Sequence, residues 1–266
     1  MLVDSHCHLD RLDLTPFAGD FASLLGHCAS VGVAHVLCVS IDWESYPAMR
    51  RLLNPYPGIS VSLGVHPNEQ SGHEPSVEEL YEAGCDPCVI AIGETGLDFY
   101  RSAGDLTWQQ ERFRRHIRAA RQLGKPLIVH TREAKADTLR ILEEERAHEV
   151  GGVLHCFTED WEMAERALAL NFYISFSGIV TFNSAKTIQD VATRVPGERY
   201  LLETDAPYLA PVPHRGKPNY PYYVRHVAAQ IAQLRGESEE CVARQTTENF
   251  LRLFKLTTLQ RLAATP

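Results

Sequence analysis

Long hydrophobic runs are missing from this sequence. No apolar stretch among its 266 residues approaches the roughly 20 residues that cross a bilayer, so no membrane partner is expected. The opening Met1-Leu2-Val3-Asp4-Ser5-His6 has neither a basic segment nor the apolar core of a secretory signal. A surplus of positive charge is missing too. Lys and Arg number 26 against 34 Asp and Glu, a formal charge of −8 with His neutral. That excludes a protein that coats nucleic acid by bulk electrostatics, but not a nucleic-acid enzyme, because bound metal ions invert the local field. A disulfide framework is also absent. The seven cysteines (Cys7, Cys28, Cys38, Cys85, Cys88, Cys156 and Cys241) are odd in number, and most lie in apolar, strand-like runs. In a chain this long the expectation is a reduced, cytoplasmic protein. Low-complexity segments and Gly, Pro or Ser-rich linkers are lacking, so one domain over residues 1–266 is expected. No obligate protein partner is evident.

What is present is alternation. Short β-rich runs occur at 2–8, 34–41, 59–65, 88–94, 126–130, 151–157, 172–178 and 200–205. Helix-like stretches follow each, at about 20–31, 43–53, 76–83, 106–123, 133–145, 160–170, 184–194 and 221–235. The strands are too apolar for a half-wet sheet, and repeated βα units imply a parallel one. Eight such units in 266 residues favour closure into a (β/α)₈ TIM-type barrel. Beyond 236 the sequence reads as extra C-terminal helix, with Ser238 capping a run to Gln245 and Thr247 capping Glu248 to Phe254.

Function follows from where the metal-binding residue types fall. His6 and His8 end the first predicted strand, Glu94 the fourth, His130 the fifth and Asp205 the eighth, with His155 near the end of the sixth. In a barrel all of these reach the C-terminal mouth, where active sites of this architecture sit. His6 and His8 are two apart on a strand and share a face, while Cys7 faces away into packing. A histidine and carboxylate set suits Zn²⁺, Mn²⁺ or Mg²⁺ and not a closed thiolate site. Six ligands are many for one tetrahedral ion but suffice for two divalent ions if a carboxylate bridges them. Glu94 is the candidate bridge, lying between the two histidine pairs in strand order. Asp205 would complete one shell and accept a proton from water, and ions about 3.5–4 Å apart are expected.

The runs VDSHCHLD (3–10), GVHP (64–67), GETGLDFY (93–100), VHTR (129–132), LHCFTED (154–160), FYISFSGIVTF (172–182) and LLETDAPYLAPVPHRGKPN (201–219) cover nearly the whole chain in order. In them the sequence resembles the TatD family, metal-dependent deoxyribonucleases of the amidohydrolase-like barrels. The resemblance implies His6, His8, Glu94 and Asp205 on one ion, and Glu94, His130 and His155 on the other. It also implies exonucleolytic cutting of DNA from single-stranded or frayed 3′ ends. Relatives in the wider superfamily use a carboxylated lysine on the fourth strand, where this chain has Glu94.

Further residues carry alternative readings. His66 ends the third predicted strand, as a phosphate or leaving-group contact or as a backbone-bonded histidine. Asp4 and Glu203, two positions before His6 and Asp205, either orient ligands or are buried structural carboxylates. Arg132 either meets a phosphate or makes a surface salt bridge, and Arg215 and Lys217 either offer charge to a phosphate or belong to a rigid, solvated, proline-stiffened loop 206–221. Tyr100 and Tyr208, with Phe99, are placed for stacking on bases, with wall packing as the other reading for at least one of them. Cys85-x-x-Cys88 is read as chance, and the arginine run 112–121 as the solvated face of an outer helix. The alternatives to a nuclease are a metal-dependent hydrolase of a non-nucleic-acid ester, amide or lactone on the same scaffold, and a non-catalytic metal-binding scaffold, which the complete ligand set disfavours.

Overall fold

The apolar runs become eight strands in the computed structural model, which describes residues 1–262. They are β1 (Leu2–Cys7), β2 (Val33–Cys38), β3 (Ile59–Leu63), β4 (Val89–Asp98), β5 (Leu127–Arg132), β6 (Gly152–Leu154), β7 (Phe172–Phe176) and β8 (Tyr200–Leu202). Their order in the sheet is the order in the chain, and every neighbouring pair is parallel. A helix follows each strand: α1 (Phe21–Ser30), α2 (Tyr46–Leu53), α3 (Val77–Gly84), α4 (Thr107–Leu123), α5 (Lys135–Glu144), α6 (Trp161–Ala169), α7 (Lys186–Arg194) and α8 (Val224–Arg235). The result is the expected (β/α)₈ barrel. No described helix is long and apolar enough to cross a membrane.

The seam where β8 meets β1 lacks a regular ladder. One parallel bridge joins Cys7 and Ala206, flanked by Asp205 N–H to His6 O (2.9 Å) and His8 N–H to Ala206 O (2.8 Å). Side chains supply the rest. The buried Asp4 carboxylate accepts from Thr204 N (2.9 Å), Thr204 Oγ1 (2.6 Å) and His6 N (3.3 Å). Ser5 Oγ donates to Leu202 O at 2.8 Å. Of the two readings of Asp4, the structure favours the structural one: it bonds the backbone across the seam and touches His6 only through its amide.

Two boundaries differ from expectation. β4 continues to Asp98 instead of ending at Glu94. The glycines that end the apolar run in sequence let β4 press against β5. Gly96 has φ +138°, and a Cβ there would stand 2.0 Å from His130 O. At the C-terminus there is one helix, α9 (Glu239–Leu253), not two. Ser238 caps it as expected, accepting from Cys241 N, but Thr247 lies mid-helix and its hydroxyl donates to Met1 O. The buried stripe Val242, Thr246, Asn249, Phe250 and Leu253 keeps a helical period through Thr247, and that burial outweighs the local cap signal.

This helix gives the barrel its floor. The interior layer of Val3, Leu37, Ile90, Ile128, Val153, Tyr173 and Leu201 packs on Phe250, Leu253 and Phe254. The arginine run of α4 is less solvated than expected. Arg114 and Arg118 pair with Glu145, Arg121 with Glu149, and Arg112 is buried. All seven cysteines are free, with Cys85 and Cys88 exposed.

Because Phe250 is fully buried in the floor, Phe250→Ala should lower stability by about 3–5 kcal/mol in urea denaturation. A loss below about 1 kcal/mol would contradict the plug role of α9.

Candidate metal centre

Strand alternation aims the site residues. On β5 Ile128 belongs to the barrel interior while Leu127 and Val129 pack outward, so His130 shares the inward face of Ile128. The same parity carries β6 from Val153 to His155 and β8 from Leu201 to Glu203. Cys7 packs in the outer core, as expected. His6 lies within β1 and His8 one residue past it, Glu94 within β4 and His130 within β5. His155 follows the last residue of β6, and Asp205 lies beyond the end of β8. Asp205 takes a left-handed backbone, φ +57°, a region Asp tolerates better than most residues.

The four histidines converge on the Glu94 carboxylate, which is 3% exposed, and Asp205 joins them through His6 and His8. Its two oxygens face different partners. Oε1 lies 2.7 Å from His155 Nε2, 3.1 Å from His130 Nδ1 and 3.4 Å from His66 Nε2. Oε2 lies 3.4 Å from His6 Nε2 and 4.0 Å from His8 Nε2. Asp205 Oδ1 closes the second group, 3.4 Å from His8 Nε2 and 3.7 Å from His6 Nε2.

The hydrogen bonds behind these side chains test whether the group fits divalent ions. His8 Nδ1 donates to Val39 O at 2.9 Å. His155 Nδ1 faces Glu203 Oε1 at 3.3 Å, and His130 Nε2 faces Asp98 Oδ2 at 3.2 Å. In each case an acceptor holds a proton on the far nitrogen, so the near nitrogen is the one left to offer a lone pair to an ion beside Glu94 or Asp205. That arrangement is typical of metal-ligating histidines. Among the described residues, both ring nitrogens of the buried His6 lack a hydrogen-bond partner, a costly state unless an ion takes one lone pair. The separations of 3.4–4.0 Å around His6 and His8 are long for hydrogen bonds. They are near the roughly 3.0–3.6 Å between neighbouring ligands of an ion bound at about 2.0–2.2 Å. The residues fit the ions.

His66 differs. Its Nδ1 accepts from Asn68 N at 3.0 Å, which leaves the proton of the neutral ring on Nε2, pointing at Glu94. Burial pushes the imidazolium down to about 3, so His66 is neutral and its inner nitrogen is a donor. Burial also disfavours the His155 imidazolium, yet Glu94 and Glu203 outweigh it and hold its pKa well above the ordinary value. Burial opposes ionisation of Asp205, and the hydrogen bond from His8 with the charges of His6 and His155 brings its pKa below the usual carboxylate value.

The rim residues are placed less uniformly. Tyr208, 51% exposed, sets its ring edge-on to His8 with centroids 6.0 Å apart. Tyr100 is exposed and covered by the Arg132 guanidinium, 3.9 Å from its ring centroid. Arg215 stacks over Phe182 at 4.4 Å, and Lys217 is exposed; neither touches the cluster. Of the two readings of Glu203, the structure favours the orienting one through His155 Nδ1. Asp98 is a site residue that sequence reasoning missed. It holds His130 and accepts from Asn68 Nδ2 (2.7 Å), Tyr100 N (3.0 Å) and Arg101 N (2.9 Å). Its position four residues after Glu94 was a usable signal only if β4 was allowed to run past Gly96.

Known proteins place this geometry. The profile of the TatD related DNase family matches residues 3–255. The metal-dependent hydrolase YcfH of Escherichia coli K12 is 50% identical over 255 residues, covering 96% of each chain. The 3'-5' ssDNA/RNA exonuclease TatD of Escherichia fergusonii is 32% identical over 250 residues, covering 92% of this chain and 96% of its own. Among solved structures, the TatD homologue YJJV of Escherichia coli K12 is 30% identical and superposes with a TM-score of 0.87, over 96% of this chain and 98% of its own. The barrel, the carboxylate-centred histidine cluster and these similarities agree, and the chain belongs to the TatD family of metal-dependent hydrolases.

Proposed function

We propose that this chain is a divalent-metal-dependent DNase that removes nucleotides from accessible single-stranded or frayed 3′ ends. The observation that carries the reading is the division of the Glu94 oxygens between two donor sets. It favours two ions, one held by His6, His8, Glu94 and Asp205, the other by Glu94, His130 and His155. The nitrogen and oxygen donors suit Zn²⁺, Mn²⁺ or Mg²⁺. The name of the Escherichia fergusonii relative points to the same substrate class.

When bound, the ions supply electrophilic stabilisation of the phosphate and of the leaving oxygen. The chain supplies the rest. Asp205, 14% exposed where Glu94 is 3% exposed, is the carboxylate open to the mouth and the acceptor for the proton of the attacking water. His66 presents its Nε2–H to a phosphate or leaving oxygen. Glu203 and Asp98 fix the rings of His155 and His130. At the rim, Tyr208 and Tyr100 offer faces to bases. Among the described residues Arg132, Arg215 and Lys217 make no ion pair with a carboxylate, which leaves their charge for phosphates. These cations, with the exposed Tyr100 and Tyr208, favour DNA over a small ester, amide or lactone.

Asp205→Asn should keep the fold and lower kcat on end-labelled single-stranded DNA by roughly 10²–10⁴-fold, because ligand charge and proton acceptor are lost together. An unchanged kcat would refute the role. On this reading the cluster, ringed by the loops that follow the strands, admits a frayed or single-stranded end and not the stiff middle of a duplex. Linear single-stranded DNA should therefore be degraded and circular DNA spared. With about two or three phosphates neutralised, the logarithm of affinity should fall with the logarithm of salt at a slope no steeper than roughly −2. Equal cutting of the circle, or a much steeper slope, would indicate an endonuclease or a broad electrostatic binder.

A further inference from the structure

A second hollow adjoins the loop that carries His66. It has a volume of about 430 Å³ and is lined by Gln70, Glu74, Trp108, Glu111, Arg112 and Arg115, from the loop after β3 and the first turns of α4. That is room enough for a small planar ligand.

Arg112 ties the hollow to the catalytic rim. It is 2% exposed, and its Nη1 donates to His66 O at 2.6 Å. Its Nε and Nη2 bind the Glu74 carboxylate, and its Cζ lies 4.9 Å from the Trp108 ring centroid. The indole is therefore within about 9 Å of the His66 carbonyl, in reach of a nucleotide adjoining one held at His66.

The chemistry of the lining selects the ligand. Two carboxylates and two guanidinium groups leave no net charge, so the hollow does not draw a phosphate. Arg115 gives Nη2 to Glu74 at 2.6 Å, which leaves a partly exposed, flat guanidinium in the lining. Gln70 adds an amide with both donor and acceptor, and the half-buried Trp108 adds an aromatic surface. A flat, neutral heterocycle with ring nitrogens and carbonyl oxygens answers all of these.

We propose that this hollow is a nucleobase subsite, which holds the base of a nucleotide next to the scissile phosphate against Trp108 and Arg115. The inference rests on the nuclease reading. It places specificity for a polynucleotide, as opposed to a small diester, in a pocket outside the metal cluster.

The test compares Trp108→Ala and Trp108→Phe with the wild type on a single-stranded oligodeoxynucleotide and on bis(p-nitrophenyl) phosphate, with thermal melting as the check on folding. Loss of one base stack should raise KM for the oligonucleotide roughly 5- to 150-fold in Trp108→Ala. Its kcat, and kcat/KM on the small diester, should stay within about twofold. Trp108→Phe, which keeps an aromatic face, should recover most of the loss. An unchanged oligonucleotide KM, equal losses on both substrates, or no recovery by Phe would overturn the subsite. A wild type that turns over the diester but neither cuts nor binds the oligonucleotide would overturn the nuclease reading itself.

Discussion

A carboxylate buried among five imidazoles is the constraint on which the rest depends. Glu94 is 3% exposed, and His6, His8, His66, His130 and His155 all lie within 4.0 Å of its oxygens. Burial alone would drive such a carboxyl toward its neutral form. The charge of His155 and the hydrogen bonds of His130 and His155 reverse that and hold its pKa well below the usual value. Four of the five rings are separately anchored, to Val39 O, Glu203, Asp98 or Asn68 N, while His6 has no hydrogen-bond partner among the described residues. A buried charge that lost its partners would be expensive, so the anchors are part of the stability of the barrel mouth as well as of its chemistry.

The backbone around Glu94 meets a second demand, closeness. At Gly96 a side chain would collide with the carbonyl of His130, and at Gly93 a Cβ would stand 2.4 Å from Ile128 O. Two glycines thus let β4 bring its carboxylate onto the histidine of β5. On the opposite side of the cluster the seam between β1 and β8 has few backbone bonds, and the Asp4 carboxylate spans it. His6 and Asp205, which with His8 form a group that could hold a metal ion, come from the two sides of that seam. Their relative position therefore depends on a buried hydrogen-bond group one layer below.

Much of this was legible before the structure. The eight strand–helix units and the clustering of the six candidate ligands at one barrel end could be read from the sequence, since strand parity is written in local hydrophobic pattern. Asp98 was not legible, because Gly96 reads as a strand break when the close approach of β5 is unknown. The single helix α9 was misread as two because Thr247 carries a local cap signal that only burial against the barrel overrules. The roles of Asp4 and Glu203 stayed open because both are carboxylates two residues before a site residue. Only three-dimensional contacts separate a seam bond to Thr204 from a bond to His155. The pairing of the α4 arginines with Glu145 and Glu149 is likewise a contact between elements distant in sequence.

The most direct test of the account is the number of ions that one carboxylate holds. Metal-free protein titrated with Mn²⁺ by calorimetry, with metal content checked by elemental analysis, should bind two ions per chain. Glu94→Gln keeps the size of the side chain but removes the charge shared by both donor sets. It should lose at least one ion while remaining folded by circular dichroism. A variant that still binds two ions with wild-type affinity, or a wild type that binds only one, would contradict the bridging role of Glu94.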